Sequence, residues 1–266
     1  GAAWTELAKL AMRGGDLARA AFDAERSLDF NWRNLEAHQV LALARRAGND
    51  PEKARAGLDA LLVLDPLSPF GRFEKALAEG GDAPRAFAAS VRGEMPRETF
   101  LELAVWYHGL GRLAETEQVL ELAPKNAEVL YWLARLKDER GDPGSSAVLH
   151  RADAASPERV FPFRPESAEV MAWAASKSAS WRPRYYQALV QWGAGNIDEA
   201  RRLFEACGET PEYAPFYAAR SLVFENASRE RSMADLERAA RLDPAQWRYG
   251  RMLADRQLGQ GAVAKA

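Results

Sequence analysis

The sequence predicts an all-α fold, a right-handed solenoid of antiparallel helix pairs, and three observations support this. A glycine followed by a polar residue recurs at a nearly constant interval: 33 residues separate Gly15 from Gly48 and Gly48 from Gly81, and 30 separate Gly81 from Gly111 and Gly111 from Gly141. A fixed period of this size indicates stacked supersecondary units that each pack on their neighbours. Leucine and alanine lie at helical spacing between the glycines. Prolines, which cannot continue a helix, end several periods: Pro66, Pro124, Pro157 and Pro244.

Five helix pairs, units one to five, are predicted over residues 1–157. In each pair a small residue lets the first helix approach the second closely, a glycine tolerates the turn conformation, and further small or apolar residues line the second helix. The residues that follow this pattern are Ala8 and Ala20, Ala42 and Ala54, Ala76 and Ala86, Ala104 and Leu120, and Ala134 and Ala152. The third pair is shortened and degenerate.

An insertion interrupts the period at residues 158–180. Gly141 and Gly195 are 54 residues apart, well above one period. Residues 160–165 read Val-Phe-Pro-Phe-Arg-Pro, and two prolines in six residues exclude a continuous helix. Val170, Trp173 and Ala174 then follow at helical spacing. We expect an extended crossing and one extra helix.

Units six to eight are predicted over residues 181–266, with the last one truncated. Gly195 and Gly261 are 66 residues apart, or two periods, with one turn glycine missing between them. The chain begins and ends inside a unit, so we expect it to be a piece of a longer protein. An unfinished hairpin also leaves apolar residues near Leu253, Leu258 and Val263 available for self-association.

Taken together, this pattern closely resembles the tetratricopeptide repeat (TPR), a helical hairpin of about 34 residues. Five stretches are similar, more narrowly, to the TPR half of a bacterial family of large proteins, in which a β-rich, mutarotase-like domain of unknown function precedes the repeats. These stretches are residues 100–108, 128–134, 160–165, 181–186 and 213–217. The resemblance implies that any carbohydrate chemistry belongs to a domain outside this chain, and it carries no catalytic residue onto it.

Composition narrows the possible functions. The net charge is −2, with 36 basic and 38 acidic residues, so the chain lacks the basic excess typical of nucleic-acid binding and any polybasic membrane anchor. Its one cysteine, Cys207, excludes an internal disulfide and fits a reducing compartment, which favours the cytoplasm. The three histidines, His38, His108 and His150, lie in different units, and no spacing typical of metal ligands occurs. We expect no metal, no cofactor and no catalytic constellation.

Aromatic and arginine side chains on the concave face are the best binding candidates, because such residues anchor interfaces. In a TPR unit the second, fifth, ninth and twelfth positions point to that face. The candidates chosen from these and adjacent positions are Tyr131, Arg135, Arg182, Tyr185, Trp192, Phe216, Arg220 and Arg251. The aromatic residues have packing in the core as an alternative role, and the arginines have ion pairs with neighbouring carboxylates.

The sequence therefore favours a non-catalytic scaffold that docks a protein, a peptide or a neighbouring domain of the same protein in its groove. The alternative is a helical C-terminal appendage of a carbohydrate-active enzyme, which depends on family resemblance alone.

Overall fold

The computed structural model describes residues 1–258 and forms two compact units that divide between Lys125 and Asn126. The described part of each unit contains helices and no strands, which confirms the all-α prediction. The division does not coincide with residues 158–180, where the sequence analysis separated the repeats, and the assignment of repeat units stays a prediction.

The first unit contains eight helices that pack mainly on their neighbours in the chain, α1 on α2, α3 on α4, α5 on α6 and α7 on α8. Helix α3 also contacts α1 and α2, which makes the array continuous. The helices are α1 (Ala2–Arg13), α2 (Leu17–Phe30), α3 (Leu35–Ala47), α4 (Pro51–Leu64), α5 (Pro69–Glu79), α6 (Ala83–Ser90), α7 (Arg97–Gly109) and α8 (Leu113–Leu122).

The second unit repeats this arrangement as far as residue 258. Helix α9 packs on α10, α12 on α13 and α14 on α15, while α16 packs on α15. The helices are α9 (Ala127–Glu139), α10 (Ser145–Ala154), α11 (Pro165–Lys177), α12 (Trp181–Gly193), α13 (Ile197–Ala206), α14 (Ala214–Phe224), α15 (Arg229–Leu242) and α16 (Trp247–Leu258). Helix α11 lies in the predicted insertion and contacts both α9 and α12.

The turns between paired helices explain the periodic glycines. Gly15 and Gly111 have φ angles of +79° and +72°, a left-handed conformation that a side chain disfavours. In the second pair the left-handed residue is Asn49 (φ +61°) and not Gly48. Asparagine adopts this conformation more readily than most residues other than glycine. In the first two pairs the next residue caps the following helix: Asp16 Oδ1 accepts a hydrogen bond from the Arg19 amide at 2.9 Å, and Asp50 Oδ1 accepts one from the Lys53 amide at 3.3 Å.

Small residues fill the predicted close contacts, with one exception. Ala8, Ala104 and Ala134 are fully buried. The prediction is wrong in the third pair, where Ala86 is exposed and Phe87 is buried instead. Helix α6 has only eight residues. Phe87 points inward and packs against Phe73, with the two ring centroids 5.4 Å apart.

The first unit also encloses a cluster of charged groups between α3, α5, α7 and α8. The Arg46 guanidinium donates to Glu74 Oε1 at 3.1 Å and to Glu115 Oε1 at 2.7 Å. The Tyr107 hydroxyl donates to Glu74 Oε1 at 2.6 Å, and Arg112 holds Glu115 from its own helix end. Both glutamates are buried, so each charge depends on partners inside the protein. We call this set the Glu74 cluster.

Candidate functional site

Four of the eight predicted contact residues are buried, which contradicts the expectation that their side chains face an open groove. Tyr131, Tyr185, Phe216 and Arg220 each expose 1% of their surface or less. The other four retain some exposure: Arg135, Arg182, Trp192 and Arg251. Whether any of the eight contacts a partner stays a prediction.

Arg220 is a structural cation. Its Nε and Nη2 donate to the two carboxylate oxygens of Asp235 at 2.8 and 2.7 Å, and its Nη1 donates to the Gly208 carbonyl at 2.9 Å. The guanidinium also lies 5.1 Å from the ring centroids of Phe216 and Tyr217. Burial lowers the pKa of Arg220, but the hydrogen bonds and charges of Asp235 and Glu209 outweigh it and raise the pKa. Its substitution would test the stability of α14 and α15 and not binding.

Tyr185 and Phe216 belong to an aromatic core between α12, α13 and α14. Their ring centroids are 5.6 Å apart, and Phe204 lies 6.1 Å from Tyr185 and 5.7 Å from Phe216. Burial raises the pKa of the Tyr185 hydroxyl well above its usual value. Both side chains therefore pack in the core, which is the alternative role that the sequence analysis gave to the aromatic residues.

Tyr131 is buried as well, but its hydroxyl reaches the wall of a surface depression. It donates to Asp153 Oδ1 at 2.7 Å, and Asp153 Oδ2 accepts a second hydrogen bond from Ser178 at 2.5 Å. Burial, followed by the hydrogen bond to Asp153, raises the pKa of Tyr131. Arg182 fixes the same segment from the other side by donating to the Asp153 carbonyl at 2.5 Å.

The depression has a volume of about 410 Å³ and lies where α9, α10, α11 and the link from α11 to α12 meet. We call it the α9–α11 depression. Eight of the eleven residues that line it are polar or charged, and the other three are Trp173, Leu149 and Ala179. The residues that line it are Asp138, Ser145, Ser146, Leu149, His150, Asp153, Trp173, Lys177, Ser178, Ala179 and Ser180.

Trp173 is the half-buried aromatic side chain of this site, and its orientation is fixed. Its Nε1 donates to Asp138 Oδ2 at 2.8 Å, and the Arg135 guanidinium lies 5.7 Å from its ring centroid. Arg135 is held in turn by Glu139, 2.9 Å away on the same helix. Arg135 thus supports the tryptophan from beside the depression.

Sequence reasoning missed the site as a unit, although it identified some of its parts. The sequence pattern places Trp173 on the extra helix and His150 among the three scattered histidines. Asp153, Lys177 and Ser178 were not considered. The available signal was the insertion, because an extra helix changes what packs on α9.

Two further depressions lie in the second unit. One, of about 510 Å³, lies between α11 and α12 beside the exposed Phe163. The other, of about 430 Å³, is lined by Trp181, Arg182 and Tyr213. Burial raises the pKa of Tyr213 to about 12, and its hydroxyl donates to the Pro157 carbonyl at 3.2 Å. Among the predicted residues, only Arg182 lines one of these two depressions.

Within residues 1–258 no group of three or more histidine, cysteine or carboxylate side chains is arranged to hold a metal ion. No helix in that range has the length and apolar character needed to cross a bilayer. The predicted self-association surface is described only in part: Leu258 is half exposed, and Val263 lies outside the described residues.

No protein-family model matches the sequence, and no curated protein matches it either. Similar solved structures include YrrB, described as a TPR protein with an unusual peptide-binding site, at 16% identity over 86% of this chain and 96% of that one, with a TM-score of 0.30. A TPR protein from Parabacteroides merdae is 15% identical over 95% and 98% of the two chains, with a TM-score of 0.34.

Yeast Tom70 is also similar, at 12% identity over 98% of this chain and 82% of that one, with a TM-score of 0.35. YrrB and the Parabacteroides merdae protein are described as TPR proteins, the repeat type that the sequence pattern resembles. At these TM-scores the likeness specifies neither a ligand nor a superhelical shape. The all-α array of helix pairs rests on the helices and contacts of this chain itself.

Proposed function

We propose that this chain is a non-catalytic protein-interaction module that docks a peptide segment, from another protein or from a neighbouring domain, in the α9–α11 depression. The observation that carries the proposal is the half-buried Trp173, which is held by Asp138 and Arg135 on the wall of a 410 Å³ depression. A fixed aromatic surface loses little conformational entropy on binding, which is why tryptophan is common among interface anchors.

This depression differs from the groove that the sequence predicts, but two of the predicted residues lie beside it. Tyr131 and Arg135 keep an indirect role, since one holds Asp153 and the other supports Trp173. The volume is within the range of small-ligand sites and suits one or two side chains of an extended segment. An extended peptide would place further residues on the surrounding helix surfaces.

The test begins with selection of a displayed random-peptide library on the immobilised protein. Affinities of the selected peptides are then measured by fluorescence anisotropy for the unmodified chain, for Trp173→Ala and for Trp247→Ala. Trp247 is a matched control, because it is an exposed tryptophan on α16 outside the depression. Circular dichroism verifies that each variant keeps its helices.

We expect Trp173→Ala to weaken binding about tenfold or more, the loss typical of an anchor residue, and Trp247→Ala to leave it unchanged. Equal affinity for both variants, or failure of the library to yield any peptide that depends on Trp173, would overturn the proposal.

A further inference from the structure

Building on the proposed function, we infer that the α9–α11 depression recognises an acidic peptide segment, whose carboxylates contact Lys177 and His150. The inference follows from which of the charged groups around the depression already have partners within the protein and which do not.

The carboxylates of the depression are already engaged. Asp138 accepts a hydrogen bond from Trp173 and lies 3.8 Å from the Arg135 guanidinium. Asp153 accepts one hydrogen bond on each oxygen, from Tyr131 and from Ser178. Arg135 partly offsets the charge of Asp138, and neutral hydroxyl donors occupy both oxygens of Asp153 without cancelling its charge. A cationic ligand would have to compete with these donors.

The two basic groups are in the opposite situation. Lys177, in the last turn of α11, and His150, on α10, both line the depression and are exposed. Neither side chain has a hydrogen bond or an ion pair with another described residue. A lysine ammonium offers three donors and no acceptor, so a ligand that carries acceptors and negative charge satisfies it best.

The shape of the site favours a carboxylate on a short apolar stem. Trp173, Leu149 and Ala179 provide apolar surface in the same depression as the two basic groups. A glutamate side chain can lay its methylene groups against such a surface while its carboxylate reaches a lysine or a histidine. Carboxylate and phosphate share this chemistry, and we assign the site to the carboxylates of Asp and Glu side chains.

The experiment measures binding of a glutamate-rich synthetic peptide and of its glutamine, lysine and phosphoserine counterparts to the unmodified protein. The same titrations are repeated with Lys177→Glu, His150→Gln and Trp173→Ala. Lys75→Glu serves as the matched control, because Lys75 is exposed on α5 in the first unit and its change alters net charge equally. The random-library selection described above is sequenced for its Asp and Glu content.

We expect the glutamate peptide to bind about fivefold more tightly than its glutamine counterpart, since one exposed charge pair with Lys177 contributes up to about 1 kcal/mol. Lys177→Glu should remove most of that difference and favour the lysine peptide, and Lys75→Glu should not. His150→Gln should weaken binding of the glutamate peptide by about threefold, because it displaces one hydrogen-bond donor from the depression.

Several outcomes would overturn the inference. They are equal binding of the glutamate and glutamine peptides, tighter binding of the lysine peptide, an equal loss in Lys75→Glu, and binding of the phosphoserine peptide alone. If library peptides depend on Trp173 but are not acidic, the docking function stands and the acidic preference fails. If no peptide depends on Trp173, both fail.

Discussion

The Glu74 cluster of the first unit and the α9–α11 depression of the second use the same chemistry in different surroundings. In both, a tyrosine hydroxyl on one helix donates to a carboxylate on another: Tyr107 to Glu74 at 2.6 Å, and Tyr131 to Asp153 at 2.7 Å. Glu74 and Glu115 are buried and are held by Arg46 and Arg112, whose side chains are 30% and 29% exposed. Asp153 is half-buried at the edge of a depression where Lys177 and His150 have no partner in the described structure.

The difference teaches that polar groups stabilise a helical array when they are closed off together and become available to a ligand when they are not. A closed cluster has no unmatched charge left to offer. In an open cluster the loss of one internal hydrogen-bond partner costs little stability, because water replaces that partner. The groups without a partner then determine which ligand binds.

The largest expected effect follows from removing the carboxylate in each place. Glu74→Ala leaves the buried Tyr107 hydroxyl without its acceptor and Arg46 with Glu115 alone, so we expect a loss of about 3 kcal/mol in unfolding free energy, the upper end for hydrogen bonds to a charged group. Asp153→Ala should cost about 1 kcal/mol, because solvent reaches that site. Urea denaturation measures both. Similar losses for the two variants would remove the distinction between closed and open.

The hydroxyl groups give a sharper comparison, since each substitution deletes one oxygen. Tyr107→Phe removes one hydrogen-bond donor from a buried carboxylate, and we expect it to lower the unfolding free energy by about 2 kcal/mol. Tyr131→Phe should lower it by about 1 kcal/mol or less. Both tyrosines are fully buried, so the apolar contribution is matched. Chemical denaturation of the two variants is again the measurement. A larger loss for Tyr131→Phe would mean that Asp153 is closed off from solvent in solution.

Both regions also show what sequence reasoning can reach. The turn at Gly111 and the small residue Ala104 were predictable, because a left-handed turn and a close helix contact each restrict the residue type locally. The bond between Arg220 and Asp235 was not, since a guanidinium on a helix face is equally compatible with solvent and with a carboxylate on the next helix. Helical periodicity places a residue on a face but does not show what covers that face.

The repeat pattern could not predict the candidate site, for a related reason. Trp173 lies on α11, inside the insertion that the sequence predicts, so the repeat pattern does not give its neighbours. The extended crossing and the helix were foreseeable from Pro162 and Pro165, since proline ends or begins a helix. The depression depends on how α11 meets α9 and α10, and that is a matter of tertiary packing.

Acidification should affect the Glu74 cluster in a defined direction. Burial raises the pKa of Glu115, but hydrogen bonds from Arg112 and Arg46 outweigh it and hold the pKa below its usual value of 4.5. Because the folded-state pKa is lowered, this carboxylate stabilises the fold above pH 4.5 and loses that contribution as pH falls through the folded-state value. Glu115→Gln should therefore flatten the acid limb of stability against pH. An unchanged limb would show that Glu115 is not differentially protonated on unfolding.

The smallest expected effect concerns Arg135, beside the depression. Its ion pair with Glu139 lies between neighbouring turns of α9, and its side chain is about one-third exposed, so solvent screens the interaction. We expect Arg135→Gln to change the unfolding free energy by about 0.5 kcal/mol or less. The guanidinium also lies 5.7 Å from the centroid of the Trp173 ring. The same substitution should therefore alter tryptophan fluorescence and weaken the binding of any peptide whose affinity depends on Trp173. A stability loss as large as that of Tyr107→Phe would place Arg135 in a closed cluster and contradict its role as a support for an open site.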